Sequence, residues 1–231
     1  MRIATIAGRA KVLTDASAFD VEEVSRGRFP ADPALLFEQW DAFVSWARGV
    51  EAPSYGPPAD LTALEAPSPT PRQVFAIGLN YRDHIAETGQ TPPKSPSVFT
   101  KFATSLSGPN SQLILPTENV DWEVELVAVI GGPAKNVTGA SAWRHVAGLT
   151  VGQDYTERVI QTEGEIPQFS LGKSFPGFGP TGPWLVTPDE FADPDDLALE
   201  CTVNGESVQK SRTSQLLFSV GQLVAYLSSI T

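Results

Sequence analysis

Asp121-Trp122-Glu123-Val124-Glu125-Leu126-Val127-Ala128-Val129-Ile130 passes from alternating acids into five consecutive apolar residues. Side chains two apart in an extended chain share a face, so the pattern predicts a strand over 123–130 with Asp121, Glu123 and Glu125 on one side. Two carboxylates at this spacing repel each other. Beside a buried strand neither stays ionised without a compensating cation, and a divalent metal is one way to supply it. The plainer alternative is an edge strand whose acidic face is solvated.

Outward from this strand, short apolar segments recur at 74–79, 97–101, 113–115, 146–151, 184–187 and 197–203, punctuated by Gly and Pro. Helical patterns are fewer, at 83–87, 141–145, 155–162 and 219–227. Towards the N-terminus a strand is expected at 2–7 and an amphipathic helix at 32–48, where Leu35, Leu36, Trp40, Phe43 and Val44 recur at helical spacing. Residues 52–71 hold six of the 20 prolines, Pro53, Pro57, Pro58, Pro67, Pro69 and Pro71, a density that ends regular structure. The expectation is a small N-terminal domain over 1–68 and a main domain over 72–231, strand-rich, of the α+β class and without internal repeats.

Composition narrows the function classes. With 231 residues, 41% hydrophobic and 19% charged, the chain can bury a sizeable core. The formal charge of −11 with scattered basic residues excludes the footprint of a nucleic-acid binder. The single Cys201 forms no intrachain disulfide, Arg9 and Lys11 interrupt any signal-peptide core, and no apolar run approaches the roughly 20 residues of a membrane span. A soluble cytoplasmic protein without membrane or nucleic-acid partners is expected. An acidic chain binds an acidic substrate only where a cation or a cluster of Lys and Arg reverses the local field.

Three further constellations carry chemistry. Asp154 follows the apolar segment 145–153 where that strand should leave the core, and so offers a third oxygen ligand; carboxylates and water suit Mg2+ or Mn2+. Zinc is disfavoured by one Cys and two His. Arg158 and Gln161 stand four and seven residues after Asp154 and would share a helix face with it, although an Asp–Arg pair on a surface helix reads the same way. His84 follows the strand at 74–79 and lies one turn before Glu87, a pairing that orients an imidazole as a general base and also occurs on ordinary surfaces. His145 has no such neighbourhood and reads as structural. The Gly/Pro-rich loop 172–183 lets backbone approach a ligand closely, and its one charge, Lys173, can pair with a ligand carboxylate or a substrate.

In order, Gly78-Leu-Asn-Tyr-x-x-His84-x-x-Glu87, Phe99-Thr-Lys101, Asp121-x-Glu123-x-Glu125-Leu, Gln153-Asp154-x-x-x-Arg158-x-x-Gln161, Leu171-Gly-Lys173-Ser-Phe, Gly179-Pro-Thr-Gly-Pro-Trp184 and Val203-Asn-Gly205 resemble the fumarylacetoacetate hydrolase family. The resemblance runs from about Val74 to Leu227. It implies a mixed β-sandwich roll, usually a homodimer, in which Glu123, Glu125 and Asp154 ligate Mg2+ or Mn2+. Lys173 would stand beside these ligands as a catalytic residue. His84, supported by Glu87, would activate the water that cleaves a carbon–carbon bond in an acylpyruvate-type β-diketo acid, and the metal would stabilise the departing enolate. Arg158 and Gln161 match substrate-contacting positions, with Lys101 a weaker match, and 88–95 would be a lid that orders on binding.

The same metal site serves oxaloacetate decarboxylation, tautomerisation and hydratase or isomerase steps on 2-oxo-alkenedioates in aromatic catabolism. Hydrolysis ranks first here and oxaloacetate decarboxylation second, because decarboxylation does not use a His84–Glu87 pair; an inactive ligand-binding homologue is the reading from another class. Family members continue beyond the helix at 219–227 with a Pro-Gly-Asp turn and a Thr-Gly-Thr-Pro loop, so the resemblance implies that this chain lacks a C-terminal segment.

Overall fold

The computed structural model describes residues 1–50 and 56–231. Pro53, counted in the Pro-rich stretch, lies outside them. The acidic-to-apolar segment forms a strand over Val124–Ile130 at one edge of an eight-stranded sheet. Its neighbour, Val146–Gln153, is buried along most of its length, which is why its sequence is almost continuously apolar. The two run antiparallel, Leu126 opposite Val151 and Ala128 opposite Leu149. Gly179–Val186 lies on the other side of Val146–Gln153, followed by Arg2–Ile6, Arg9–Leu13 and Ala18–Asp20. Leu64–Glu65 and Leu106–Ser107 attach to Arg2–Ile6 and Gly179–Val186. The sheet therefore joins N-terminal strands to strands from beyond the Pro-rich stretch, and among the described residues it does not close into a barrel.

Three apolar clusters pack on it, one of them formed by Ala4, Ile6, Leu13, Ala18 and Leu64 of its own strands; the other two bring helices against it. Val21, Leu36, Trp40 and Phe43 meet Ile3, Ala147 and Leu185 in one. In the other, Val220 and Val224 of the helix Val220–Ser228 meet Ala142, Val146 and Leu149. Adjacent residues Val146 and Ala147 feed different clusters, as strand alternation requires. Each fully buried large side chain contributes about 1.5–3 kcal/mol.

Several local expectations are corrected. The helix expected at 32–48 is two, Pro33–Phe37 and Trp40–Arg48, and Phe37 stacks on Trp40 across the break with ring centroids 4.9 Å apart. The apolar run 113–115 forms no strand and leaves Ile114 81% exposed. The polar strand Glu206–Arg212 pairs with Ala198–Val203 through a turn in which Asn204 and Gly205 both have positive φ, the geometry that an Asn-Gly hairpin favours.

Candidate functional site

The acids converge where the strand carrying them is interrupted. Val120–Asp121 pairs with Thr156–Glu157, Trp122 and Glu123 leave the ladder, and pairing resumes at Val124. The Asp154 amide donates to the Glu123 carbonyl at 2.8 Å, and the Glu123 amide donates to the Gln153 side-chain oxygen at 3.0 Å. Glu123 is thus held in the break beside Asp154, correcting the expectation of one uninterrupted strand. The helix expected at 155–162 is likewise a short strand followed by the single turn Arg158–Gln161, so Asp154, Arg158 and Gln161 meet without sharing a helix face.

Three cations bind this cluster. Lys173, at the C-terminal end of the helix Phe169–Gly172, donates to Glu123 Oε2 and Asp154 Oδ2, both at 2.7 Å, and to Thr156 Oγ1 at 2.8 Å. Thr156 in turn donates to the Asp154 carbonyl at 3.0 Å. Arg158 donates to Glu123 Oε1 at 2.6 Å, to Asp121 Oδ2 at 2.6 Å and to Gln161 Oε1 at 3.2 Å. Lys101, directly after Ser97–Thr100, donates to Asp154 Oδ1 at 2.6 Å and to the carbonyls of Lys173 and Phe178. Its ammonium is buried and its three donors are occupied, so it braces Asp154 and the 173–178 loop. This geometry differs from the substrate contact expected for Lys101. Burial pushes the ammonium below its ordinary pKa despite Asp154.

Glu125 is the exception in charge balance. No ion pair or side-chain hydrogen bond reaches its carboxylate among the described residues. Burial, and then the charges of Glu123 and Asp154, push its carboxyl well above the ordinary range. As the side chains stand, no group of three His, Cys, Asp or Glu among the described residues is arranged to hold a metal ion, because the oxygens of Glu123 and Asp154 face Lys101, Arg158 and Lys173. The donor chemistry nonetheless fits a hard divalent cation: Glu123 and Asp154 meet at Lys173, and Glu125, which feels both of their charges, has no ion pair or side-chain hydrogen bond among the described residues.

His84 and Glu87 lie on the helix Arg82–Thr88 with Nδ1 and Oε2 3.8 Å apart and side chains 51% and 79% exposed. No hydrogen bond or ion pair joins them to the acidic cluster among the described residues. Three contributors carried no assigned role in the sequence reading: Asp121 as the anchor of Arg158, Thr156 as a partner of Lys173, and Phe99, whose ring centroid lies 5.4 Å from the Lys173 ammonium. Asp121 and Phe99 belong to motifs that pointed here, whereas Thr156 has no sequence signal of its own.

Comparisons with known proteins bear on the family and the fold. The family model for the fumarylacetoacetate (FAA) hydrolase C-terminal domain matches residues 73–231. Human mitochondrial oxaloacetate tautomerase FAHD2B is 42% identical over 203 residues, covering 86% of this chain and 64% of that protein. The chain thus spans less than two thirds of that relative's length. An HpcE-like protein from Mycobacterium smegmatis superposes with a TM-score of 0.94 at 49% identity, over 100% of this chain and 82% of that one. Maleylpyruvate hydrolase from Sphingobium sp. SYK-6, solved in complex with manganese(II) and pyruvate, gives 0.77 at 26% identity, over 100% of this chain and 84% of that one. No helix among the described residues is long and apolar enough to cross a membrane.

Proposed function

We propose that this chain, which belongs to the fumarylacetoacetate hydrolase family, is the catalytic core of a divalent-cation-dependent enzyme that draws a small 2-oxo acid towards its enolate. The observation that carries the reading is the meeting of Glu123 and Asp154 at Lys173, with Lys101 and Arg158 on their other oxygens and Glu125 close enough to feel both carboxylate charges. Glu123, Glu125 and Asp154 would hold Mg2+ or Mn2+, which when bound supplies the missing positive charge and Lewis-acid withdrawal of electrons from the 2-oxo acid. The manganese complex of the Sphingobium relative supports a cation of this class.

The chain's own residues then have distinct tasks. Lys173 bridges Glu123 and Asp154 and fixes the spacing of the two carboxylates. Lys101 holds the other oxygen of Asp154. Arg158, with its side chain 38% exposed, is the cation placed to meet a substrate carboxylate, and Gln161 lies at its side. His84 is the proton-moving group and Glu87 orients it. To act, His84 must approach the cluster; the segment 88–95, which leaves the helix after Thr88 and has neither helix nor strand over 90–95, is where we place the lid.

Keto–enol proton transfer on an oxaloacetate-like acid ranks first, supported by the human relatives' names and by the single base it requires. Carbon–carbon hydrolysis of an acylpyruvate is the second reading, favoured by the His84–Glu87 pair, which suits activation of water. The test is to follow oxaloacetate tautomerisation and acetylpyruvate cleavage with Mn2+, with Mg2+ and with chelator. Metal-dependent tautomerisation that falls by at least about 100-fold in His84→Ala and in Glu123→Ala is expected. Cleavage of acetylpyruvate without tautomerisation replaces the first reading by the second. Binding of Mn2+ and pyruvate with no turnover of either substrate contradicts an enzyme and favours a ligand-binding homologue.

A further inference from the structure

The break at Trp122–Glu123 leaves backbone groups that a regular ladder would pair. The Asp154 amide donates to the Glu123 carbonyl, and an antiparallel pair would return the Glu123 amide to the Asp154 carbonyl. That carbonyl instead accepts from Thr156 Oγ1 at 3.0 Å, and the Glu123 amide donates at 3.0 Å to the side-chain oxygen of Gln153. Val124, the first residue of the edge strand, donates its amide at 2.8 Å to the side-chain oxygen of Gln209. Two consecutive amides of the segment that presents Glu123 are thus satisfied by glutamine side chains from two other elements.

Gln209 belongs to the hairpin of Ala198–Val203 and Glu206–Arg212. In its second strand Gln209 and Ser211 are half-buried and share a face, while the residues between and around them are exposed. Cys201 lies opposite Gln209, and Leu199 opposite Ser211. The polar side chains of this inner face reach out of the hairpin: Gln209 to Val124, Ser211 Oγ to Asp83 Oδ2 at 2.9 Å, and Cys201 Sγ as acceptor from Gln153 Nε2 at 3.3 Å. A primary amide accepts with its oxygen and donates with its nitrogen, so Gln153 serves the Glu123 amide and the Cys201 sulfur at once. A carboxylate in its place would add charge beside Glu123 and Asp154, and an apolar side chain would leave the Glu123 amide without a partner.

We propose that this hairpin is the positioning element of the cation site, with Gln209 and Gln153 as positioning residues that act through the backbone of Val124 and Glu123 rather than on a ligand. This assignment rests on the reading of Glu123 as a cation ligand given above. Lys173 sets the spacing of the Glu123 carboxylate from Asp154, but the backbone fixes the point from which that side chain starts, and a small cation demands its oxygens within narrow limits. Through Ser211 and Asp83 the same face meets the helix that carries His84, so one exposed polar hairpin adjoins both parts of the site.

The experiment compares the parent with Gln209→Met, Gln153→Met and Val208→Ala by thermal unfolding, by calorimetric titration of Mn2+ and by the electron paramagnetic resonance spectrum of bound Mn2+. Methionine keeps the volume and removes the acceptor, whereas Val208 is an outward neighbour of Gln209 and reports on hairpin stability alone. The expected result is Mn2+ affinity lower by about 10-fold in both Met variants with an altered line width of the Mn2+ signal, and affinity within about twofold of the parent with an unaltered signal in Val208→Ala. Parent-like affinity and signal in Gln209→Met overturn the assignment and leave the cation-site reading standing. Equal losses in Gln209→Met and Val208→Ala also overturn it, marking the hairpin as stabilising only. Should one Met variant be unfolded before titration, the other decides by the same criteria. A parent without saturable Mn2+ binding overturns the cation-site reading and this assignment with it.

Discussion

Lys173 and Asp20 are buried charges of opposite sign, and both are stabilised by more than one partner. Lys173 divides its ammonium between Glu123 and Asp154, and so orders two carboxylates that would otherwise separate. Asp20 accepts from Arg9 at 2.6 Å, from Lys11 at 2.7 Å and from the amides of Glu22 and Glu23. Burial alone would raise its carboxyl, but the hydrogen bonds from Arg9 and Lys11 outweigh burial and hold it well below the usual carboxylate range. A depressed folded-state pKa gives stability that is present above the unfolded value of about 3.9 and is lost as pH falls through the folded value. Asp20→Asn is therefore expected to cost about 2–3 kcal/mol at pH 7 by urea denaturation, and to flatten the acid limb of the stability profile below about pH 4. The figure is set below that of a fully buried pair because the Arg9 side chain is 43% exposed. Equal acid sensitivity in parent and variant would show that Asp20 is not the group that titrates.

At the scale of elements, the site depends on how closely two short helices approach. A Cβ on Gly172 would lie 2.6 Å from the Gln161 amide nitrogen and 2.8 Å from its Cα, with the Glu157 carbonyl at 3.0 Å. These are backbone atoms, which cannot turn aside as a side-chain tip can. Gly172→Ala is expected to cost about 1–3 kcal/mol in chemical denaturation and to weaken Mn2+ binding, because Lys173 is the next residue. A parent-like midpoint and affinity would show that the helices separate without consequence. Periodicity made other elements legible. Val124–Ile130 and Val146–Gln153 are apolar because they lie side by side in the sheet. The strand Glu206–Arg212 was not legible, because its hairpin is largely exposed and its residues are mostly polar. The run 113–115 misled, since an apolar segment becomes a strand only where another strand offers pairing.

Across the whole molecule, residue type announced the acids but tertiary structure chose their partners. The ordered motifs pointed to Glu123, Glu125, Asp154 and Lys173. They did not reveal the break at Trp122–Glu123, which is set by pairing with the distant Thr156–Glu157, or that Lys101 turns its donors inwards. The sheet links Arg2–Ile6 to Gly179–Val186, and so spans the compositional boundary near residues 68–72. The chain carries a formal charge of −11, yet Lys101, Arg158 and Lys173 meet at one place, where they and a bound cation would reverse the field for an acidic substrate. The most direct measurement of that account is calorimetric titration of Mn2+ into the parent, Glu125→Gln and Glu123→Ala, with melting temperatures recorded alongside. The account predicts saturable binding by the parent and at least about 10-fold weaker binding by both variants. It also predicts that Glu125→Gln melts no lower than the ligand-free parent, because among the described residues Glu125 makes no ion pair or side-chain hydrogen bond for the substitution to break and its carboxyl is pushed towards the neutral form. Absence of saturable binding by the parent, or equal affinity in all three proteins, would contradict it.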